Sequence, residues 1–198
     1  MRTSILATAI LCIPAAACAQ KNLPAAQQIA LAVLPLPAAF RADATVLGYD
    51  ATGKLVTLRR GTGTMICLMA DPKLMNDPKD PSFHPACYQN SMEPFMARGR
   101  ELRAQGVKNV DSVRFAEVNA GKLKLPTQAA TLWALDGPMS GVNAAAGTVT
   151  AAIKLRYSIY MPFATAASTG LPDKVIMNGP WLMDAGTPKA HIMFTASM

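Results

Sequence analysis

Ala44-Thr45-Val46-Leu47-Gly48-Tyr49-Asp50, Ala51-Thr52-Gly53, Lys54-Leu55-Val56-Thr57-Leu58-Arg59-Arg60, Gly61-Thr62-Gly63 and Thr64-Met65-Ile66-Cys67-Leu68-Met69-Ala70 follow one another without a break from residue 44 to residue 70. Aliphatic and β-branched segments alternate here with short Gly-containing turns, the pattern of strands joined at close range. The middle segment puts Leu55, Thr57 and Arg59 on one side and Val56, Leu58 and Arg60 on the other, which is the two-residue period of a strand. The spacing predicts strands over 44–50, 54–60 and 64–70. The turn at Gly61-Thr62-Gly63 is read as a second hairpin turn, and the third strand carries Cys67.

Working outward, a short helix is expected over 25–34, ahead of the strands. After them Ser91 is placed to cap a helix running to residue 105, because Met92, Phe95, Met96, Gly99 and Leu102 fall on one face and Gly106 closes it. Residues 111–119 alternate like a strand at Val113 and Phe115, but Asp111 and Gly121 resemble helix caps, and the segment is read as helical. Strands return over 129–135 with Trp133, over 148–161, at Trp181-Leu182-Met183, and over 190–195 after a Gly186-Thr187-Pro188 turn. Strands pairing mostly with sequence neighbours around one or two helices make an α+β domain with a mainly antiparallel sheet. There is no internal repeat and no linker, so residues 20–198 are read as a single domain.

Residues 1–19 are set apart by Arg2, an apolar run from Ile5 to Ile13, and the small residues Ala15-Ala16-Ala17-Cys18-Ala19. That order is the secretory leader pattern, and Ala17 with Ala19 suits a cut before Gln20. A periplasmic or secreted location is expected. In the alternative processing Cys18 becomes a lipid-anchored N-terminus, although Ala15 stands where a larger aliphatic side chain is usual. The later apolar run from Ile29 to Phe40 is interrupted by Pro35 and Pro37, so no transmembrane helix is expected.

Four cysteines are present, and removal of the leader takes Cys12 and Cys18 with it. The remaining pair, Cys67 and Cys87, reads as a disulfide in an oxidising compartment. Between them lies a charged, proline-rich stretch, residues 71–81, which has few apolar side chains with which to pack itself down. The bond is therefore expected to pin a loop to a sheet.

The same residues admit a metal reading, since Cys67, His84, Cys87 and His191 are all the cysteines and histidines beyond the leader. Zinc sites usually draw close pairs of ligands from each half, and only His84 and Cys87 are close here. For copper, His191 and Met193 stand two apart on one side of a strand, and soft thioether and imidazole ligands suit that metal. His191, Met193 and His84 are accordingly the candidate metal ligands, for copper or zinc. Other chemistry finds less support. The acidic loop lacks the glycine of a calcium-binding turn, Arg60-Gly61-Thr62-Gly63-Thr64 lacks the Gly-Lys-Ser/Thr of a phosphate loop, and Ser140 beside Gly141 lacks the Gly-x-Ser-x-Gly elbow. No catalytic residue is assigned.

Without Arg2 the net charge is +6, and much of the excess lies between Arg98 and Lys124. Arg98, Arg100 and Arg103 are the residues expected to touch an anionic surface weakly, although dispersed charges of this kind ordinarily form a solvated face. Nucleic acid is not expected as a partner, because no aromatic side chains are interleaved with the basic ones.

Gly179-Pro180-Trp181-Leu182-Met183 and Gly186-Thr187-Pro188-Lys189-Ala190-His191-Ile192-Met193, with Arg60-Gly61-Thr62-Gly63, Cys67 and Pro85-Ala86-Cys87, resemble a group of exported bacterial proteins of about this size with no assigned activity. The resemblance implies a bacterial source and a shared fold, and it implies no reaction. In that group a second His-x-Met element precedes a Tyr-x-Pro step. Here the matching stretch, residues 156–162, ends in Tyr160-Met161-Pro162 and has neither the His nor the Met of that element. The basic stretch 107–124 looks like an insertion relative to the group. The function expected from all of this is a non-enzymatic, disulfide-stabilised domain that binds a component of the cell envelope. The alternative is a metal-binding protein or metal-dependent enzyme centred on His191.

Overall fold

The structure, a computed structural model, describes residues 22–177 and 179–194. The leader reading, with its cut before Gln20 and its alternative at Cys18, lies outside the described residues. In chain order the elements are α1 (Ala25–Ala32), α2 (Ala38–Arg41), β1 (Thr45–Tyr49), β2 (Leu55–Arg59), β3 (Met65–Leu68), α3 (Pro72–Met75), β4 (Ser82–Phe83) and β5 (Ala86–Gln89). They continue with α4 (Glu93–Ala104), α5 (Val110–Asn119), β6 (Ala130–Pro138), β7 (Val142–Asn143), β8 (Thr148–Val149), β9 (Lys154–Tyr160), α6 (Ala166–Thr169), β10 (Pro180–Met183) and β11 (His191–Phe194). The fold is α+β. One sheet runs in the order β10-β11-β9-β6-β5-β3-β1-β2, with β4 beside β6, and β7 and β8 pair apart from it.

Local pairing accounts for β1 and β2, whose antiparallel register includes Tyr49 opposite Leu55. It fails at the next step. β3 does not pair with β2 but lies parallel to β1 on its other side, with Val46 opposite Cys67. Gly61-Thr62-Gly63 is thus a crossover past the start of β1 and not a hairpin turn, which corrects the expectation. The Gly63 N–H donates to the Asp43 carbonyl at 2.8 Å and the Gly61 N–H to Thr45 Oγ1 at 3.0 Å. A Cβ at Gly61 would overlap the Asp43 carbonyl oxygen and the Ala44 backbone, so glycine is required for the chain to pass.

The helices cover opposite faces of the sheet. On one side Leu31 and Ala32 of α1 join Val46, Cys67, Met69, Phe83 and Cys87 in the largest buried cluster. Gln28 fixes that helix. Its buried side-chain amide donates to the Tyr49 carbonyl at 2.8 Å and accepts from the Tyr49 N–H at 2.8 Å, in the manner of a neighbouring strand. On the other side Met92 packs with Tyr88, Ala130 and Tyr160, and Met96 adds to that cluster. A third cluster, Ala164, Leu182 and Ala190, seats the β10–β11 hairpin.

Helix α4 buries Phe95, Gly99 and Leu102 as the spacing requires, but it does not begin at a Ser91 cap. Residues Asn90–Met92 form a 3-10 turn, and Met92 precedes the helix without a side-chain cap. Pro94 sits in the first turn, where a missing N–H costs nothing. Residues 111–119 are helical, as read. The single strand expected over 148–161 is divided between β8 and β9 by a turn closed from the Ile153 N–H to the Thr150 carbonyl. Among the described residues three helices have eight or more residues, at the three segments read as helical, and three more are single turns.

Cys67 and Cys87 are bonded, with Cα atoms 4.0 Å apart, and both are fully buried. They stand directly opposite each other on β3 and β5, so the bond joins two strands and does not pin a loop to a sheet. The stretch between them also packs better than its composition suggests. Asp71 caps α3 through the Lys73 N–H, and Pro72, Met75 and Phe83 are buried. Closing a loop across 20 residues stabilises the fold by roughly 3 kcal/mol through the unfolded chain. The Cys67→Ala, Cys87→Ala double variant is expected to lose about that much in urea denaturation. Gly61→Ala, with its backbone overlap, is expected to lose about 2 kcal/mol or more in the same measurement.

Candidate functional site

His191 opens β11 at the end of a tight turn that the local sequence builds. Asp184 takes a left-handed φ of 54° and Gly186 one of 74°. Thr187 donates to the Asp184 carbonyl from its N–H at 3.1 Å and from Oγ1 at 2.7 Å. The turn delivers the Lys189 carbonyl to His191 Nδ1 at 2.8 Å. With Nδ1 donating there, the lone pair lies on Nε2, the atom that a metal or a proton would use. The imidazole stacks on Tyr160 with centroids 4.7 Å apart and 9° between the planes. Burial, opposed by the Lys189 hydrogen bond and the Asp184 charge, holds the imidazole below its ordinary value, so His191 is neutral near pH 7. Burial likewise pushes the Tyr160 hydroxyl up to about 12, against the pull of Arg114.

A charged network from α5 braces the turn. Lys189 Nζ lies 3.1 Å from Asp111 Oδ2 and 3.5 Å from Asp184 Oδ2. Asp111 also accepts from Arg114, a buried guanidinium that donates to the Phe95 carbonyl at 3.1 Å and lies 3.9 Å over the Phe95 ring. Gly99 leaves room for it, since a Cβ there would come within 2.8 Å of Arg114 Nη1. α5 is thus tied both to α4 and to the turn that leads into the strand carrying His191.

The sheet register decides which candidates meet. Met193 follows His191 on the same face of β11. Across the hairpin Met183 is paired with His191 and Trp181 with Met193. Cross-strand partners share a face, so Trp181, Met183, His191 and Met193 form one four-residue block. Met183 and Trp181 were missed from the sequence, where they stand eight and ten positions before His191. The signal was there in two x-spaced pairs, Trp-Leu-Met and His-Ile-Met, flanking one turn.

His84 does not belong with them. Ala130 of β6 stands opposite Tyr160, the partner of His191, whereas Asp136, at the far end of β6, holds His84 Nδ1 at 3.0 Å. Six strand residues separate the two ends, about 20 Å. The candidate set of His84 with His191 and Met193 is corrected accordingly. The zinc set containing both cysteines fails because their sulfurs are bonded to each other. Among the described residues no three His, Cys, Asp or Glu side chains converge as a metal site.

The basic stretch is a solvated face in part: Arg103, Lys108, Lys122 and Lys124 are exposed, whereas other cations of the stretch are paired within the fold. Arg98 is held by Glu117 at 2.6 Å and Glu101 at 2.7 Å, and Arg100 by Glu93 at 2.7 Å and the Tyr88 hydroxyl at 2.7 Å. Arg103 is exposed, without an ion pair among the described residues. Two of the three guanidiniums expected to meet an anionic surface are thus committed within the fold. No helix among the described residues is long and apolar enough to cross a membrane. No protein-family model, curated protein or solved structure matches the chain.

Burial works against the Asp111 charge, but hydrogen bonds from Arg114 and Lys189 outweigh it and hold the carboxyl below its usual range. A depressed carboxyl stabilises the fold above its unfolded value of about 4, and that contribution is lost as pH falls through the folded value. The melting-temperature gap between the protein and Asp111→Asn is therefore expected to be widest above about pH 5 and to narrow steadily below pH 4.

Proposed function

We propose that this chain is an exported, disulfide-stabilised domain whose site is a metal-binding position centred on His191. The observation that carries the reading is the fixed tautomer: Nδ1 is engaged by the Lys189 carbonyl, and Nε2 is left as a donor on the sheet face that also holds Met193. A neutral imidazole at ordinary pH is ready to ligate without first losing a proton. The leader supports export, and the Cys67–Cys87 bond is consistent with an oxidising compartment. Protein purified without an affinity tag, stripped and reconstituted with copper or zinc, is expected to retain one ion per chain by elemental analysis. His191→Gln, with folding checked by circular dichroism, is expected to retain none; a wild-type chain that keeps neither metal contradicts the reading.

The envelope-binding reading is favoured by a different observation. Val175, Ile176 and Met177 are 64%, 38% and 76% exposed in consecutive positions, more apolar surface than a connecting loop requires. Under this reading the protein co-sediments with isolated peptidoglycan, lipopolysaccharide or phospholipid vesicles, and Met177→Ser weakens the association. Recovery of all the protein in the supernatant in each case counts against it.

A further inference from the structure

Resting on the metal reading of His191, we infer that the β10–β11 hairpin is built for monovalent copper. The ion is held by His191 Nε2 and the thioethers of Met183 and Met193, with the Trp181 indole beside it. The register sets the argument. Met183 is the direct cross-strand partner of His191, which puts their Cβ atoms about 4.5–5.5 Å apart, and Met193 is one same-face step along β11. Methionine has three rotatable side-chain bonds, so both sulfurs can swing to a point shared with the imidazole without moving the backbone.

Composition selects the ion. Two thioethers and a neutral imidazole carry no charge and are soft, which suits Cu(I), whereas Zn(II) and Cu(II) favour the harder or charged donors absent from this face. Of the two carboxylates beside the turn, Asp111 is engaged by Lys189 at 3.1 Å, and Asp184 lies 3.5 Å from the same Nζ. Trp181 faces Met193 across the hairpin, and indole is the strongest aromatic partner for a cation. Burial also grades across the block. His191 is buried and rigidly stacked on Tyr160, Trp181 and Met193 are half-buried, and Met183 is 38% exposed. A fixed nitrogen donor at the base and an adaptable sulfur donor at the rim let an ion enter from the Met183 side.

The test is anaerobic competition of the full chain against a Cu(I)-selective chromophoric chelator, with parallel titrations of Zn(II) and Cu(II). The expected result is one Cu(I) per chain, held at least about 100-fold more tightly than Zn(II). Met183→Leu and Met193→Leu keep side-chain volume and fold, and each is expected to weaken Cu(I) at least about tenfold while leaving Zn(II) unchanged. Cu(I) is expected to quench tryptophan emission in the protein and in Trp133→Phe, but not in Trp181→Phe. If Zn(II) or Cu(II) binds through His191 and neither Met variant alters Cu(I) affinity, the copper inference is overturned and the metal reading stands. If the wild-type chain binds none of the three ions, both fall.

Discussion

Cys67 and Cys87 face each other on adjacent strands in the middle of the main sheet, and their bond fixes a register that no short turn could set. A slip of one residue at this junction would exchange the faces of every side chain beyond it. From the bond the register passes outward in steps: Tyr88 opposite Leu132, Ala130 opposite Tyr160, Tyr160 opposite His191, and His191 opposite Met183. The residues that share a face with His191 follow from these pairings together with the turn that joins β10 to β11.

At the far edge a second constraint holds the hairpin in place. β10 and β11 are short, and a short hairpin at a sheet edge has little stability of its own. Asp111 of α5, itself paired with Arg114, reaches Lys189, while Ala164, Leu182 and Ala190 form a small core beneath the opposite face. One side of the hairpin is therefore braced by charge and the other by apolar packing, and the His191 imidazole is held between a backbone carbonyl and an aromatic ring. Such preorganisation limits what a bound ion would have to rearrange.

Much of the fold could be read from residues that act through their neighbours in sequence. The first two strands follow from a two-residue period with a glycine turn between them, and α4 from apolar positions three and four apart. The disulfide was legible because Cys67 and Cys87 are the two cysteines beyond the leader-like segment. What escaped was long-range: glycine at position 61 looks the same in a hairpin turn and in a crossover, and only the close approach of Asp43 tells them apart. Of the site, His191 and Met193 were visible because they lie on one strand. Met183 and Trp181 were not, since pairing across the hairpin depends on a turn length that proline and two positive-φ residues determine. His84 was misplaced for the converse reason, as nearness to Cys87 in sequence says nothing about which end of β6 it meets. The pairing of Arg98 and Arg100 escaped because their carboxylate partners, Glu93, Glu101 and Glu117, are spread over two helices that only the tertiary packing brings together.

The disulfide joins β3 to β5 in the sheet centre, the strand pairings and the β10–β11 turn place His191, Met183, Met193 and Trp181 on one hairpin face, and the proposed copper site rests on that placement. X-ray absorption at the copper edge of the Cu(I)-loaded protein tests this assembly most directly. The account predicts a first shell of two sulfur scatterers and one nitrogen, with one sulfur lost in Met183→Leu. A shell of nitrogen and oxygen alone, unchanged in that variant, would contradict it.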